Sequence, residues 1–328
     1  MQPHAHTQTR LVTLEEIEAA RSRIRPLACV TPLLDVSAPA HRTFLLKCEN
    51  MQPAGAFKIR GAFNMVAQLT PDERRRGVIT YSSGNHGQAM ALAAREHGSP
   101  AVVVMPTTAP SIKIEGAKAF GAEVILEGTT SADRLARAQA EAAARGLTMV
   151  PPFDHEWIIA GQGTAGLEIL EQRPDVAAIV VPIGGGGLVA GVAAAIKQSR
   201  PAVRVIGVEP AGAAAMKASV DAGRPVTLAK TQSVADGLMP VRPGDLTFAH
   251  VQAFVDAVIT VDDPDIVSAV LWMFKEAKVV AEPSGAAAVA AVLTGAVDRA
   301  VSLDSNAPIV AVVSGGNIAI EKLHALCD

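Results

Sequence analysis

The sequence predicts an α/β fold built from parallel sheets. Short apolar segments alternate with helical patterns along most of the chain, and a connection of helix length between strands implies parallel pairing with right-handed crossovers. Segments such as 101–105 and 178–181 carry no charge, which is typical of strands buried on both faces. Several of these segments end in a turn rich in Gly or Ser, and parallel sheets bind ligands at such strand ends.

The individual elements follow from local patterns. Ile17, Ala20 and Ile24 recur at helical spacing. Residues 31–34 are extended, because the residue before Pro32 avoids the helical region. The predicted strands cover residues 44–47, 77–81, 101–105, 124–126, 178–181, 203–208, 256–261 and 308–313. The predicted helices cover residues 13–24, 61–69, 88–96, 111–120, 131–145 and 263–275, the last with Asp262 or Asp263 as its N-cap. Three further helices are predicted to begin at residue 161, at residue 188 and after residue 285. A long connection rich in Gly and Pro covers 223–245.

Composition excludes some classes of protein. The 328 residues suit one large domain or two ordinary ones. With 29 basic and 32 acidic residues, the net charge of −3 indicates neither a nucleic-acid partner nor a membrane surface. Cys29, Cys48 and Cys327 lack the spacing of a metal site and are odd in number, which favours a reducing cytoplasm. Residues 1–10 are polar and do not resemble a signal peptide.

One stretch is long enough to raise the question of a membrane span. Residues 177–196 contain no charged side chain. They also contain Pro182 and five glycines, four of them consecutive. Such helix breakers favour a buried strand, a glycine turn and a helix instead.

The stretch 54–62 places a lysine before a predicted helix. Gly55 permits a tight backbone entry, and Phe57 offers a flat apolar face beside Lys58. Taken alone, this pattern favours a solvated lysine on an amphipathic helix. Two later stretches, the Ser/Asn/His turn 82–87 and the glycine run 184–187, change the interpretation. A lysine, a polar turn and a phosphate cradle together indicate a pyridoxal phosphate site.

The glycine run Gly184, Gly185, Gly186 and Gly187 lies between a strand and a helix. Four glycines let backbone N–H groups turn toward one anion, and the helix from Leu188 adds the positive end of its dipole. The alternative is a flexible turn, which the strand before and the helix after make less favoured. The sequence lacks the GK[ST] of a nucleotide P-loop and the GxGxxG of a dinucleotide site.

Six motifs occur in order between Thr31 and Ile318: FKIRGA, SSGNHGQA, PPFD, AGQGT, PIGGGG and SGGN. In this the chain resembles the pyridoxal-phosphate-dependent threonine dehydratase and serine racemase family, which has the tryptophan-synthase-β-like fold, fold type II. The resemblance implies two lobes, each a twisted, mostly parallel sheet flanked by helices. It implies a discontinuous large domain of residues 1–50 and 152–328, a small domain of residues 51–151, and a homodimer or homotetramer.

The resemblance also assigns cofactor contacts. Lys58 would hold the cofactor as a Schiff base, and Phe57 would pack against its ring. Asn85 would contact the ring oxygen and Ser314 the ring nitrogen. The phosphate would lie in the glycine cradle Gly184–Gly187, with the Leu188 N–H also in reach. For Asn85 the alternative is turn chemistry, and for Ser314 it is a helix N-cap.

Substrate contacts are implied in the same way. Ser82, Asn85 and His86, with nearby N–H groups, would receive the substrate carboxylate. Ser83 matches the serine that faces the lysine across the cofactor in serine racemases. Arg134 matches an arginine that contacts substrate carboxylates there, but an exposed arginine on a charged surface helix is the favoured alternative.

The implied reaction is dehydrative deamination of a β-hydroxy amino acid, threonine to 2-oxobutanoate or serine to pyruvate, with release of ammonia. Lys58 would be the general base. Serine racemase remains an alternative, as do dehydratases for 3-hydroxyaspartate, phenylserine or a hydroxyectoine product, and a catalytically silent cofactor-binding protein. The chain ends soon after SGGN, so a regulatory domain and feedback by isoleucine are not expected.

A metal site is not expected. Serine racemases and hydroxyaspartate dehydratases share a magnesium or calcium site. Its ligands are a glutamate, a backbone carbonyl four residues after that glutamate, and an aspartate two residues after the carbonyl. This sequence has Glu209, Ala213 and Ala215, so the aspartate is missing. Glu282 or Asp236 could substitute for it, and Glu209 could instead be a solvated acid at a strand end.

Overall fold

The computed structural model describes residues 10–37, 43–82, 84–109, 111–304 and 306–327. Within these ranges, helices cover two β-sheets. The strands are β1 (Leu33–Ser37), β2 (Thr43–Lys47), β3 (Val78–Tyr81), β4 (Ala101–Met105), β5 (Glu123–Leu126), β6 (Thr148–Met149), β7 (Ala178–Pro182), β8 (Arg204–Pro210), β9 (Ala257–Val261) and β10 (Ile309–Val312).

The helices are α1 (Leu14–Ile24), α2 (Lys58–Ala67), α3 (Pro71–Arg76), α4 (Asn85–Glu96), α5 (Ser111–Ala119), α6 (Ser131–Arg145), α7 (Glu156–Gln172), α8 (Gly187–Ser199), α9 (Ala215–Ala222), α10 (Asp245–Phe254), α11 (Asp263–Trp272), α12 (Pro283–Leu293), α13 (Ala296–Ala300) and α14 (Ile320–Ala325). Short 3₁₀ turns cover Glu49–Met51, Pro53–Gly55, Ala211–Ala213 and Asp236–Leu238, and a π turn covers Met273–Ala277.

Both sheets are parallel apart from one pair of strands. The smaller sheet has the order β5-β4-β3-β6, and the larger has the order β1-β2-β10-β7-β8-β9. Only β1 and β2 pair antiparallel among these strands. The prediction of an α/β fold with mostly parallel sheets flanked by helices is therefore confirmed.

The two sheets draw on different parts of the chain. The smaller sheet takes its strands from residues 78–149, and the larger takes them from 33–47 and 178–312. This distribution supports the predicted division into a small domain of 51–151 and a discontinuous large domain of 1–50 and 152–328. The domain bounds themselves stay a prediction.

Alternate residues of β7 pack on opposite faces of the larger sheet. Ala178 and Val180 contact the cluster formed with α11 and α12, whereas Ile179 and Val181 contact the cluster formed with α7 and α8. Burying each of the larger side chains, Ile179, Val180 and Val181, stabilises the fold by about 1.5–3 kcal/mol. The uncharged stretch 177–196 is thus a strand, a turn and a helix. In the ranges given above, no helix is both long and apolar enough to cross a membrane.

Within the described part of the chain, three helices begin with the same reciprocal cap. Thr13, Thr70 and Thr130 each accept a hydrogen bond from a backbone N–H three residues on, and the acid there bonds back to the threonine N–H. These capping boxes satisfy N–H groups that otherwise lack a partner. The second of them begins α3, a short helix that the sequence analysis did not predict.

Some predicted boundaries are wrong. The AGQGT motif was expected to begin a helix, but α7 begins at Glu156 and the motif lies in its middle. The reason is packing: a Cβ on Gly161 would lie 2.6 Å from the Arg60 carbonyl oxygen, so glycine lets α7 approach α2. The predicted helix 263–275 ends at Trp272 and continues as the π turn, and no side chain caps its start.

Candidate active site

The lysine segment and the SGGN turn are adjacent in the fold. Ala56 forms a β-bridge with Gly315, and the Phe57 N–H donates to the Ser314 carbonyl at 3.1 Å. Because β10 pairs with β7 in parallel, the SGGN turn and the glycine run both follow the carboxyl ends of their strands, at the same edge of the larger sheet. The structure therefore brings together three of the motifs singled out in the sequence.

Lys58 is the first residue of α2. Its Nζ donates to the Pro152 carbonyl at 2.7 Å and lies 5.0 Å from the centre of the Phe57 ring. Burial lowers the pKa of this amine to about 8, because an ammonium group loses hydration there. About a tenth of the Lys58 amine is thus neutral and nucleophilic at pH 7, far more than for an ordinary lysine.

The lowered pKa predicts how the cofactor-free protein captures pyridoxal phosphate. Only the neutral amine adds to an aldehyde, so the capture rate should rise about tenfold per pH unit below pH 8 and then level off. A lysine with the usual pKa of 10.5 would react about 300-fold more slowly at pH 7. The measurement is the absorbance change on mixing, followed between about pH 6 and 10. A rate that still rises steeply at the upper end would contradict the desolvated amine.

Asn85 is held on both sides of its amide. Its Oδ1 accepts from Asn317 Nδ2 at 2.9 Å, and its Nδ2 donates to Glu282 Oε1 at 2.5 Å. Asn317 Nδ2 also donates to the Ala54 carbonyl at 2.8 Å. These contacts fix which way the Asn85 amide points and leave one of its N–H groups for a ligand. Asn85 lies in the first turn of α4 and not in the loop that the sequence predicted.

Glu282 is a site residue whose role beside Asn85 the sequence analysis missed. Its side chain is buried, and burial together with the nearby Asp236 carboxylate raises its pKa to about 7. The signal available in the sequence was a single acid, Glu282, in the otherwise uncharged stretch 279–288. Asn317 was recognised only as part of the SGGN motif.

His86 is neutral, and its orientation is fixed. Burial, together with the nearby Lys58 ammonium, lowers its pKa to about 3. Its Nε2 lies 3.1 Å from the Val150 carbonyl, which can only accept, so Nε2 carries the proton. Its Nδ1 is then an acceptor, buried without a partner among the described residues. The side chain therefore cannot donate to a carboxylate, and the predicted contact of His86 is restricted to its backbone N–H.

The glycine run packs against Phe153. A Cβ on Gly185 would overlap the Phe153 ring, and one on Gly187 would lie 3.0 Å from Phe153 Cβ. Gly186 has a φ of +97°, which favours glycine. Thr247 Oγ1 donates to the Gly185 carbonyl at 2.7 Å. The turn therefore has no room for side chains, and it leads into the N-terminus of α8, where backbone N–H groups suit a phosphate. The residues present fit the cofactor expected from the sequence.

Asp154 caps α10 from a distant part of the chain. Its carboxylate accepts from the backbone N–H groups of Asp245, Leu246 and Thr247 at 3.1, 3.0 and 3.0 Å. Negative charge at a helix N-terminus is stabilising. The cap fixes the segment that includes Pro152, whose carbonyl accepts from the lysine amine. The sequence analysis recognised the PPFD motif but gave this carboxylate no role.

Ser314 follows the carboxyl end of β10 and is buried. Its Oγ lies 3.4 Å from the Ser284 carbonyl, a long hydrogen bond that a ligand atom could replace. The alternative of a helix N-cap is wrong, because the next helix, α14, begins only at Ile320. The hydroxyl is thus available for the contact implied by the resemblance.

Ser82 and Ser83 follow β3. Ser82 Oγ accepts from the Gly84 N–H at 3.2 Å, so it orders the turn that enters α4. Ser83, predicted as the residue that faces the lysine across the cofactor, lies outside the described residues. Its predicted role rests on the sequence alone.

Arg134 is buried, with 8% of its surface exposed. The alternative of an exposed arginine on a surface helix is therefore wrong. The guanidinium donates to the Thr129 carbonyl at 3.3 Å and to Ser131 Oγ at 3.0 Å, and its Nε has no partner in the described part of the chain. Burial lowers the pKa of Arg134. A buried cation with an unused N–H is a candidate contact for an anion.

Glu209 does not fit a metal site. Its side chain is fully buried, so it is not a solvated acid. Its two oxygens accept from the backbone N–H groups of Met216 and Lys217 at 2.8 and 2.7 Å, which caps α9. Burial raises the pKa of Glu209 to about 7, and the two backbone bonds oppose this rise. The acids considered as substitutes are engaged elsewhere, Glu282 with Asn85 and Asp236 with Lys113.

Chelation should leave activity nearly unchanged. Because both oxygens of Glu209 are used by α9, a hard divalent ion would have to compete with two hydrogen bonds for a single carboxylate. We expect turnover of threonine or serine with EDTA to stay within about twofold of the untreated rate, and millimolar magnesium to change the melting temperature little. Loss of activity on chelation, restored by magnesium or calcium, would show that other ligands complete a site.

Comparison with known proteins shows which family this chain belongs to. The chain is 43% identical over 322 residues to the L-threonine ammonia-lyase of Thermotoga maritima, covering 97% of this chain and 79% of that protein. It is 41% identical over 313 residues to a serine racemase of Oryza sativa, covering 94% and 92%. The structure of maize serine racemase superposes with a TM-score of 0.93 at 39% identity, covering 96% and 97% of the two chains. The sequence profile of the pyridoxal-phosphate dependent enzymes matches residues 24–315, and the chain belongs to that family.

Proposed function

We propose that this protein is a pyridoxal-phosphate-dependent dehydratase, or ammonia-lyase, that converts a β-hydroxy amino acid to the 2-keto acid and ammonia. L-Threonine and L-serine are the proposed substrates. The observation that carries the proposal is the Lys58 amine, which burial makes a base near neutral pH beside a polar turn. The L-threonine ammonia-lyase of Thermotoga maritima, 43% identical over almost the whole chain, supports the same activity.

The cofactor would be held by residues that the fold brings to one edge of the larger sheet. Lys58 would bind its aldehyde carbon covalently, and Phe57 would pack on the ring. The glycine run Gly184–Gly187, with Leu188, would bind the phosphate at the N-terminus of α8. Asn85 would offer its remaining N–H to the ring oxygen, and Ser314 its hydroxyl to the ring nitrogen.

The substrate carboxylate would bind at the start of α4. The N–H groups of Asn85 and His86, the first two residues of that helix, have no partner within the helix and suit an anion. Ser82 Oγ lies at the same turn. Arg134 would add a buried positive charge, which no carboxylate of the described residues neutralises within 4 Å. An α-carboxylate is thus the part of an amino acid that these groups recognise best.

The chain's own residues would then place and move one proton. When bound, pyridoxal phosphate supplies the electron sink for charge that develops at the substrate α-carbon. The neutral Lys58 amine takes the α-proton as general base. The proton that Lys58 has taken balances the loss of the β-hydroxyl as water and leaves the lysine neutral again. The released enamine then takes up water to give the keto acid and ammonia. The protein's contribution is placement, because the Cα–H bond must point at Nζ.

A broad substrate panel tests the proposal. Purified protein with cofactor is given both enantiomers of serine, threonine, 3-hydroxyaspartate and phenylserine, together with a hydroxyectoine breakdown product, and released keto acid is measured. We expect the fastest release from L-threonine or L-serine. Preference for another substrate would move the enzyme to one of the alternative dehydratases. A cofactor-bound protein that releases keto acid from none of them would be a silent binding protein.

Serine racemase is a second candidate, favoured by the TM-score of 0.93 with the maize enzyme. The PPFD segment resembles that of threonine dehydratases and favours the dehydratase, because this chain lacks the asparagine that serine racemases carry near Phe153. A chiral assay of serine after incubation separates the two activities. Accumulation of D-serine from L-serine, faster than pyruvate, would show the racemase.

Replacement of Ser83 by alanine should separate racemisation from elimination. Removal of a proton from an L-substrate needs a base only on the lysine face, whereas inversion needs a proton donor on the other face. Ser83→Ala is therefore expected to abolish D-serine formation and elimination from D-serine. Elimination from L-threonine should survive, within about tenfold of the parent rate. Equal loss of both activities would make Ser83 a binding residue.

We further propose a cytoplasmic homodimer or homotetramer. Cys29, Cys48 and Cys327 are all free thiols in the structure, which suits a reducing compartment. The oligomeric state is proposed from the family resemblance, and light scattering of the purified protein measures it directly.

A further inference from the structure

Four charged side chains lie buried behind the lysine helix. Lys47, Glu49 and Arg60 are fully buried, and Glu168 is 6% exposed. We call these residues the buried quartet. They carry two positive and two negative charges, and none of them has a role in the function proposed above. Burying charges is costly unless each one is paired and hydrogen-bonded, so the contacts decide what the quartet does.

Arg60 joins both carboxylates through paired hydrogen bonds. Its Nε and Nη2 donate to the two oxygens of Glu49 at 2.7 and 2.8 Å. Its Nη1 and Nη2 donate to the two oxygens of Glu168 at 2.7 and 2.8 Å. Nη1 also donates to Thr164 Oγ1 at 3.0 Å. The five N–H groups of the guanidinium are thus all used, in a geometry that only arginine provides.

Lys47 completes the quartet. Its Nζ donates to Glu168 Oε2 at 2.6 Å, to the Thr31 carbonyl at 2.9 Å and to Gln172 Oε1 at 2.9 Å. Thr31 Oγ1 donates to Glu49 Oε1 at 2.6 Å. The three protons of the ammonium group all have acceptors. The quartet is therefore a closed network with balanced charge and no unsatisfied donor on either cation.

The quartet connects three parts of the fold at the base of the site. Lys47 ends β2 and Glu49 begins the 3₁₀ turn that follows it, whereas Glu168 lies on α7 and Arg60 on α2. Arg60 follows Lys58 by two residues, and two residues of an α-helix point about 200° apart. Lys58 thus points toward the site while Arg60 points away from it, into the quartet.

We propose that the buried quartet positions the Lys58 amine, with Arg60 as the positioning residue. Apolar packing alone lets a helix rotate and slide by small amounts, whereas two bidentate pairs fix the guanidinium in its plane and so fix the first turn of α2. The quartet then sets where Nζ stands relative to the Pro152 carbonyl and the cofactor. This inference rests on the proposed role of Lys58.

Arg60→Lys tests the proposal, because it keeps the buried positive charge and loses both bidentate pairs. The readout is capture of pyridoxal phosphate by the cofactor-free protein across pH. A misplaced amine reacts more slowly, and displacement by about 1 Å can cost about 10²-fold. We expect capture at pH 8 to slow at least tenfold and the midpoint of its pH profile to rise, because a displaced amine is better hydrated. In the loaded enzyme, kcat should fall with KM within about threefold.

Asn64→Leu is the matched control. Asn64 lies on the same helix and is fully buried. Its side chain bonds the Trp157 carbonyl at 2.6 Å and Arg23 at 3.2 Å, and among the described residues it shares no side-chain hydrogen bond with the quartet. It should lower the melting temperature while leaving the capture rate and its pH midpoint unchanged. If the Arg60→Lys variant does not fold, the Glu168→Gln variant is tested instead. This substitution keeps the shape of the side chain and removes one bidentate pair. For Glu168→Gln, a smaller shift in the same direction is expected.

Two results would overturn the inference. One is a quartet variant that captures the cofactor at the parent rate with the parent pH midpoint. The other is an Asn64→Leu variant that changes both as much as Arg60→Lys does at equal loss of melting temperature. Failure of the proposed function is recognised separately, because a protein that captures the cofactor but releases no keto acid still allows the capture test.

Discussion

Replacing Lys58 with alanine is expected to lower turnover by about 10²- to 10⁴-fold through loss of the general base, and further through slower exchange of cofactor and substrate. The cofactor should still bind, because the glycine run and the N-terminus of α8 remain. It should no longer become covalently fixed to the protein on treatment with borohydride. Mass spectrometry of the treated protein and a keto-acid assay measure the two effects.

Lys197→Ala is a suitable control for that experiment. Lys197 is also a largely buried lysine, but it pairs with Asp256 at 2.8 Å, near the amino end of β8 and away from the site. Its replacement should leave both readouts unchanged. Near-normal turnover in Lys58→Ala, or borohydride fixation at a different lysine, would refute the assignment of Lys58.

Gly191→Ala should destabilise the fold more than an ordinary surface change. A Cβ at this position would overlap the Ile159 carbonyl oxygen and lie 2.5 Å from the Gly163 nitrogen. These are backbone atoms in the first half of α7, so α8 has to move as a unit. We expect a loss of about 3 kcal/mol, seen as a melting temperature lower by roughly 5–10 °C. Activity should fall as well, because α8 begins at the glycine run.

Gly166→Ala provides the graded comparison on the same interface. Its Cβ would meet Ala195 Cβ and the Val192 carbonyl oxygen at 3.1 Å, a tighter contact than usual but one that a small shift relieves. The loss of melting temperature should be less than half that of Gly191→Ala. Equal losses, or none in either variant, would show that the two helices are not held at backbone contact.

Local pattern was sufficient where one segment determines its own structure. The uncharged run 101–105 is β4, and the alanine-rich run 131–145 is α6 with the predicted bounds. The glycine run was recognised because its flanking strand and helix lie within a few residues of it. Lys58 was recognised only together with the turn 82–87 and the glycine run. Their placement at one edge of the larger sheet follows from parallel pairing.

Glycine was misread where packing overrides its usual effect. Gly161 and Gly163 suggested a helix boundary, since glycine weakens a helix interior. In the structure they lie inside α7, where the absence of a side chain lets α2 and α8 approach the backbone. Burial of Arg134 was missed for a related reason. Which face of α6 lies against β3 and β4 is decided by the assembled sheet and not by the helix sequence.

The partners of the site residues could not be predicted, because they are distant in sequence. The Asn85 contacts with Glu282 and Asn317 join residues 197 and 232 positions apart. The Asp154 cap on α10 spans more than 90 positions. A single sequence has no local signal for such pairs. The same holds for the buried quartet, in which Arg60 and Glu168 are 108 positions apart.

The position of β10 has a consequence for how the chain is synthesised. Residues 309–312 pair with β2 on one side and with β7 on the other, so the last strand of the described residues lies inside the larger sheet. In a nascent chain that does not yet include residues 309–312, β1 and β2 are not joined to β7, β8 and β9. Two strand edges then remain unpaired and can pair with other chains. The centre of the sheet and the turn that carries Ser314 therefore form in the same late step, and no shorter nascent chain has a complete site.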